Sequence, residues 1–299
     1  MDNIVKEILE LEGIKYSNIT KSDSGFSNQV YFIDDLYVIK MMDHKGNKIK
    51  LLNEIGFYKN ISMSSIPKYI TSGNYNNSVY LIIEKLKGKP LYEIWHTLTT
   101  DERNDISSQI ANILKEFNSQ KEHSFLSRKH IRSNSIDLWT KAFKKNIDIL
   151  DDKGFDTVNL LDFMENKISI IFKEDKLGLV YNDAHFDNFL YDGKKVKVID
   201  FDRVLYGSID YELLILKMMI NNPKKFANEI MEQYVEIDDF DNIMPIIQEG
   251  YKELFQFKYL DDRVFIYSFF YTLRLAYRFE LNELIGKLLD GFNSYFYNC

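Results

Sequence analysis

The stretch LVYNDAHFDNFLYDGKKVKVIDFD, residues 179–202, restricts the fold of this chain more than any other. Short apolar runs alternate in it with polar segments, and Asp183, Asn188, Asp200 and Asp202 stand at the ends of those runs. Asp192-Gly193 is a turn signal between FLY and KVKVI, so the two runs are predicted to pair as a hairpin. Adjacent strands lie about 4.8 Å apart. The hairpin therefore sets Asn188, just before its first strand, beside Asp200, just after its second. Two oxygen-bearing side chains at that separation can share a hard divalent cation; magnesium takes oxygen ligands and keeps waters and phosphates in its shell. Asp183, five residues before Asn188, lies near that position but offset, where it can accept a proton from an attacking hydroxyl. Phosphoryl transfer divides the labour in this way, with one carboxylate orienting the nucleophile and an Asn/Asp pair holding the metal. Asp and Asn also gather in ordinary turns for local backbone reasons, so the reading depends on whether the rest of the chain agrees with it.

The first part of the chain reads as strand-rich. QVYFIDDLYVIKMM, residues 29–42, alternates apolar and aromatic residues around Asp34-Asp35, the pattern of a hairpin. KIKLLNEIGFYKNI places Ile49, Leu52, Ile55 and Phe57 at helical spacing, and VYLIIEKLKG, residues 79–88, reads as a buried strand leading to a Gly-Lys-Pro turn. Together these predict a small sheet carrying one long helix. After Pro90 the pattern changes. Thr99 stands three residues before Glu102, a capping-box signature, and Ile106, Ile110, Ile113, Leu114 and Phe117 then share one helical face. LSRKHIRSNS, residues 126–135, reads as a solvated linker, and residues 208–298 are mostly helical in pattern. The expected class is α+β in two lobes, residues 1–86 and 87–299, the first β-rich and small, the second larger and mainly helical.

With these motifs in order, the chain resembles the aminoglycoside phosphotransferase and choline kinase superfamily, relatives of protein kinases. Asp183-x-x-x-x-Asn188 followed by VIDFD looks like the catalytic and metal-binding loops of that superfamily, and RVLYGSIDYELL like the segment after them, with Gly207 kept and Glu212 at the later acid. The resemblance implies a bilobal protein-kinase-like fold. It implies that SDSGFSNQVYFI is the loop covering the nucleotide, with Ser24, Gly25, Ser27 and Asn28 near the phosphates. It also implies that Lys40 steadies those phosphates, paired with Glu54 on the following helix, and that the backbone of Ile83, Glu84, Lys85 and Leu86 reads the purine of ATP or GTP. Asp183 would be the catalytic base, and Asn188 and Asp200 the magnesium ligands. The chain departs from the usual His-Gly-Asp or His-Asn-Asp in having Tyr181-Asn182-Asp183, which is expected to alter packing rather than chemistry. His185 occupies a place where many aminoglycoside phosphotransferases also carry histidine.

Charge bounds the partners. Thirty-eight basic against 45 acidic residues give a formal net charge of -7, which disfavours a nucleic-acid partner and suits a small cationic substrate. Glu236, Asp238, Asp239, Asp241, Asp261 and Asp262 fall in the helical half, beside tyrosines, where they can line a cleft for a polycation. Asp202, whose part in the 179–202 stretch the pattern leaves open, is grouped with them as a candidate substrate contact. The one cysteine, Cys299, allows no internal disulfide and no zinc cluster. No window is apolar for the length of a membrane span and the start, MDNIVKEILELEGI, is charged and amphipathic, so a cytoplasmic protein with no membrane partner is expected. Three activities remain open: an aminoglycoside-type phosphotransferase, a kinase of choline or another amino alcohol, and a non-catalytic nucleotide-binding scaffold.

Overall fold

The computed structural model describes residues 2–22, 29–42, 48–127 and 130–297. Helix α1 (Asp2–Leu11) precedes strands β1 (Ile19–Lys21), β2 (Gln29–Ile33) and β3 (Tyr37–Met42), helix α2 (Lys48–Asn60), and strands β4 (Tyr69–Tyr75) and β5 (Ser78–Glu84). The five strands form one antiparallel sheet in the order β1-β2-β3-β5-β4. Successive side chains on a strand point to opposite faces. Tyr31, Ile33, Ile39, Tyr80 and Ile82 therefore bury one face against Val5, Ile8 and Leu9 of α1, while Leu81 and Ile83 pack into the main core on the other. The predicted sheet with one helix is thus a sheet with a helix on each side. The apolar stripe of α1 has the i, i+3, i+4 spacing that a covering helix needs.

Helix α2 buries a different face from the one its spacing predicted. Leu51, Ile55, Phe57 and Tyr58 are buried, whereas Ile49 and Leu52 lie exposed. The buried face also carries Asn53 and Glu54, because it meets polar groups of the second half. Asn53 Nδ2 lies 2.8 Å from His130 Nδ1, and its carbonyl accepts the Ser127 amide. The stretch around His130 is therefore docked rather than a plain linker, although Arg128 and Lys129 lie outside the described residues.

The second half continues with β6 (Lys89–Pro90), α3 (Leu91–Ile94), α4 (Thr100–Asn118), β7 (Ile131–Arg132), α5 (Ser135–Asp152), α6 (Val158–Asn166), α7 (Ile168–Ile171), β8 (Leu177–Val180), β9 (Phe189–Tyr191), β10 (Val196–Val198) and β11 (Leu205–Ser208). Helices α8 (Leu213–Asn221), α9 (Pro223–Phe226), α10 (Ile243–Gly250), α11 (Leu260–Arg278) and α12 (Asn282–Tyr297) complete it. The capping box of α4 forms as read: Thr99 Oγ1 accepts the Glu102 amide and Glu102 Oε2 accepts the Thr99 amide. Two three-stranded sheets, β10-β9-β6 and β7-β11-β8, frame the loops between them. A column of rings joins the halves: Phe201 stacks on Phe57 of α2 at 4.2 Å, with Phe117 of α4 and Tyr181 at its other edges. Below, the fully buried Arg263 of α11 forks onto Asp210 at 2.6 and 3.1 Å, and its remaining donors reach the Ile171 and Glu174 carbonyls and Ser208 Oγ. The Tyr267 hydroxyl donates to the same carboxylate. A buried charge paired and hydrogen-bonded this fully fixes the segment after β11 in place. No helix among the described residues is long and apolar enough to cross a membrane.

Strand β8 passes so close to α4 that a Cβ at Gly178 would lie 2.0 Å from the Asn118 carbonyl oxygen, whereas Gly286 in α12 has open space around it. Gly178→Ala is expected to destabilise the protein by about 1–3 kcal/mol or more. Gly286→Ala should stabilise it by about 0.5–1 kcal/mol. Denaturant unfolding of the two variants measures both, and an unchanged midpoint for Gly178→Ala would contradict the close approach.

Candidate active site

The Asp192-Gly193 turn closes the predicted hairpin. Asp192 Oδ1 accepts the amides of Lys194 and Lys195, Gly193 has φ +93°, and Tyr191, Leu190 and Phe189 pair with Val196, Lys197 and Val198. The pairing extends to the hairpin's open end, where the Ile199 amide donates to the Asn188 carbonyl at 3.1 Å. That bond puts Asn188 next to the residue preceding Asp200. Asp200 and Asn182 both hold left-handed backbone, at φ +64° and +60°, a conformation that short polar side chains tolerate better than others.

At this end three carboxylates crowd together. Asp183, Asp200 and Asp202 each present an oxygen, all within 4.8 Å of one another. Each is met by a cation from a different element. Arg203 Nη1 lies 3.0 Å from Asp183 Oδ1, Lys40 Nζ of β3 lies 2.9 Å from Asp200 Oδ1, and Lys50 Nζ of α2 lies 2.9 Å from Asp202 Oδ2. Lys40 also lies 2.7 Å from Glu54 Oε1, which accepts the Phe201 amide as well. Burial alone would lower the pKa of Lys40, but Glu54 and Asp200 outweigh it and the net shift is upward, so the ammonium stays charged. Burial pushes Glu54 upward, because stripping water from its carboxylate costs more than Lys40 returns. For Asp200 burial again opposes ionisation, but Lys40, Arg203 and Lys50 prevail and hold its carboxyl below the usual range.

Asn188 is buried and donates from Nδ2 to the Asp183 carbonyl at 3.0 Å and to Asp183 Oδ2 at 3.2 Å, with His185 Nε2 3.0 Å away. These contacts use the amide nitrogen and leave the carboxamide oxygen as the atom a cation would take. The backbone before Asp183 is pinned from beneath. Fully buried Glu212 accepts the Tyr181 amide at 2.7 Å, the Asn182 amide at 3.2 Å and Asn118 Nδ2 at 3.3 Å, and burial pushes its pKa up to about 7 against those bonds. The Tyr181 hydroxyl donates to the Ile199 carbonyl at 2.5 Å, tying the loop that carries Asp183 to the strand that leads to Asp200.

The remaining residues named from the sequence fall as follows. Ser24, Gly25, Ser27 and Asn28 lie outside the described residues. Ile83 is buried on the Lys40 side of the sheet, and Glu84, Lys85 and Leu86 are half-buried beside it. Lys85 lies over the Phe32 ring, pairs with Asp35 and, with Asn18, Thr20 and Asp34, lines an open recess. Asp202 lies with Asp183 and Asp200. The other candidate substrate acids do not converge with it: Asp239 pairs with Arg103, Asp261 with Lys217, and Asp262 accepts the Tyr295 hydroxyl. Glu236 and Asp239 line a small recess with Trp95, His96 and Tyr234, and Asp238 is exposed. Lys50 and Arg203 were not singled out by the sequence reading. A signal existed for each, since Lys50 stands one helical turn before Glu54 and Arg203 directly follows Asp202.

The donor set fits a hard divalent cation. Asp200 is open to the cleft, with 40% of its side chain exposed, the facing donors are all oxygens, and no cysteine or histidine is needed to complete them.

The model of the phosphotransferase enzyme family matches residues 18–245 of the chain. Among solved structures, the gentamicin complex of APH(2")-IIa superimposes with a TM-score of 0.64 at 21% identity, covering 97% of this chain and 96% of that one. The GDP complex of wild-type aminoglycoside 2'-phosphotransferase-IIIa gives a TM-score of 0.67 at 14% identity over 96% and 95%. The macrolide 2'-phosphotransferase MphH from Brachybacterium faecium gives 0.56 at 10% identity over 92% and 94%. No curated protein matches the sequence.

The pinning carboxylate yields a pH signature. A carboxyl group with a higher pKa folded than unfolded favours the folded state below its unfolded value, and that contribution is lost as the pH rises through the folded value. For Glu212 the window runs from 4.5 to about 7. Glu212→Gln carries no charge across it. Unfolding measured between about pH 4 and 8 is expected to show the parent losing stability relative to Glu212→Gln as the pH rises. Parallel profiles would mean that Glu212 ionises at no cost.

Proposed function

Because the chain belongs to the phosphotransferase enzyme family and shares the kinase-like fold of aminoglycoside phosphotransferases, we propose that it moves the terminal phosphate of ATP or GTP to a hydroxyl of a small cationic molecule, an aminoglycoside-type antibiotic. The observation that carries this reading is the gathering of Asp183, Asn188, Asp200 and the Lys40–Glu54 pair at one point between the sheet and the helices.

Asp183 orients the acceptor hydroxyl and takes its proton. The Asn188 amide and Arg203 hold the two oxygens of that carboxylate from opposite partners, which fixes its direction. Lys40, kept charged and held in place by Glu54, supplies a positive charge where the phosphates of the nucleotide would lie. Asn188 and Asp200 would hold magnesium, which would neutralise the phosphate oxygens. Residues 1–86 form the nucleotide lobe in this reading. The backbone of Ile83–Leu86 meets the purine, and the family resemblance assigns Ser24, Gly25, Ser27 and Asn28, which lie outside the described residues, to the phosphates. Of the acids of the 87–299 lobe, Asp239 and Asp261 are paired with Arg103 and Lys217, so Glu236, Asp238 and Asp262 provide the negative field that draws a polycation. The aminoglycoside assignment is supported by the fold likeness to aminoglycoside phosphotransferases and by the net charge of -7, and makes the activity of the resistance type. A cytoplasmic site of action accords with a chain whose one cysteine forms no internal bridge.

Purified protein offered ATP or GTP with a panel of aminoglycosides and amino alcohols is expected to release nucleoside diphosphate with magnesium and an aminoglycoside present. Release with choline instead would move the acceptor to the amino alcohols, and no release with any acceptor would leave a binding scaffold. Asp183→Ala should lower kcat by about a hundred- to ten-thousand-fold while nucleotide binding stays near that of the parent. Turnover retained in that variant would remove Asp183 from the role of base.

A further inference from the structure

Lys50 and Asp202 stand outside the set of groups that the phosphotransfer reading assigns, yet they form the most direct ionic tie between α2 and the 200–202 loop. Asp202 is 7% exposed at its side chain and Lys50 32%, with 2.9 Å between Nζ and Oδ2. Lys50 and Glu54 are four residues apart on α2 and so lie on one helical face. Both reach the same three-residue loop, Lys50 through Asp202 and Glu54 through the Phe201 amide at 3.3 Å and through Lys40 to Asp200. One turn further on, Phe57 stacks on the Phe201 ring. Helix α2 is thus held to residues 200–202 by contacts at three successive turns. Lys50 lies in the first turn of the helix, beside Leu51, which is buried in the main core, and between Ile49 and Leu52, which are exposed. Without Lys50 the first turn of α2 has no other hydrogen bond or ion pair to this loop among the described residues, and Asp202 loses the cation that lies 2.9 Å from its carboxylate.

We propose that Lys50 is a positioning residue: its ion pair with Asp202 sets the first turns of α2 against the metal-site loop, and so places Glu54, and with it Lys40, relative to Asp200. Its effect on the reaction rests on the phosphotransferase reading, whereas its effect on the helix does not. Removing the charge lets the first turns of α2 open and lets Asp202 turn away from the line of three acids. The expected cost is in the alignment of groups already bound, which lowers kcat more than it raises KM.

Two measurements on the full-length protein separate the possibilities. Hydrogen exchange of the amides of Leu51–Phe57 should quicken about tenfold in Lys50→Met while α4 is unchanged, and should return to the parent rate in Lys50→Arg. The double variant Lys50→Met/Asp202→Asn should exchange no faster than Lys50→Met alone, because partners in one contact do not add. In the transfer assay, kcat of Lys50→Met should fall about a hundredfold with acceptor KM within a few-fold, and Lys50→Arg should recover most of it. Unchanged α2 exchange in Lys50→Met overturns the proposal whatever the activity. Faster exchange with unchanged kcat overturns the link to catalysis. If the parent protein transfers no phosphate but α2 still responds, the functional reading falls and the positioning role of Lys50 stands.

Discussion

Three carboxylates within 4.8 Å of one another set the terms on which this molecule is built. Like charges at that separation resist joint ionisation unless cations compensate them. The compensation here is drawn from three places in the sequence that share no local structure: Arg203 from the same loop, Lys40 from a strand about 160 residues earlier, and Lys50 from a helix. The three counter-charges meet the acids together only when the sheet and the helical half are docked. A site assembled in this way requires the whole fold, because no fragment holds both the acids and all of their counter-charges.

The docking itself is apolar. Phe201 lies between Asp200 and Asp202 in sequence, and its ring enters the stack formed by Phe57, Phe117 and Tyr181. Burying an aromatic ring stabilises by several kcal/mol at about 25 cal/mol per Å². One buried side chain thus orients the two charged neighbours that flank it, half-exposed Asp200 toward Lys40 and buried Asp202 toward Lys50. Glu212 performs the complementary task for Asp183. It binds the two preceding amides and so fixes the carboxylate's starting point without touching it. The rigid parts of the site are hydrogen-bonded backbone and packed rings, and the charged parts are side chains projecting from them.

Much of this was legible in the chain. The Asp192-Gly193 turn, the β2–β3 hairpin and the capping box of α4 each rest on a short-range pattern, and local backbone chemistry writes such patterns directly, whereas the pairing of Lys40 with Glu54 was implied by the family resemblance. The unread part is long-range. The ion pair of Lys50 with Asp202 spans 152 residues, and a lysine on an exposed turn of a helix looks the same whether or not a carboxylate arrives opposite it. The apolar spacing of α2 suggested Ile49 and Leu52 for its inner face, but the buried face is decided by what lies across from it. Asn53 and Glu54 are buried there because His130 and Lys40 are waiting for them. Strands of two residues such as β6 and β7 carry no periodicity at all and exist only through their partners.

That last point bears on how the two halves communicate. The chain leaving the five-stranded sheet enters β6 at Lys89 and pairs at once with β9, the first strand of the hairpin that carries Asn188 and Asp200. Gly88, at φ +123°, comes so near this hairpin that a Cβ would lie 2.9 Å from the Tyr191 carbonyl. The covalent bridge between the halves is consequently hydrogen-bonded into the hairpin itself, so that two paired strands, β9 and β10, connect the tether to the 200–202 loop.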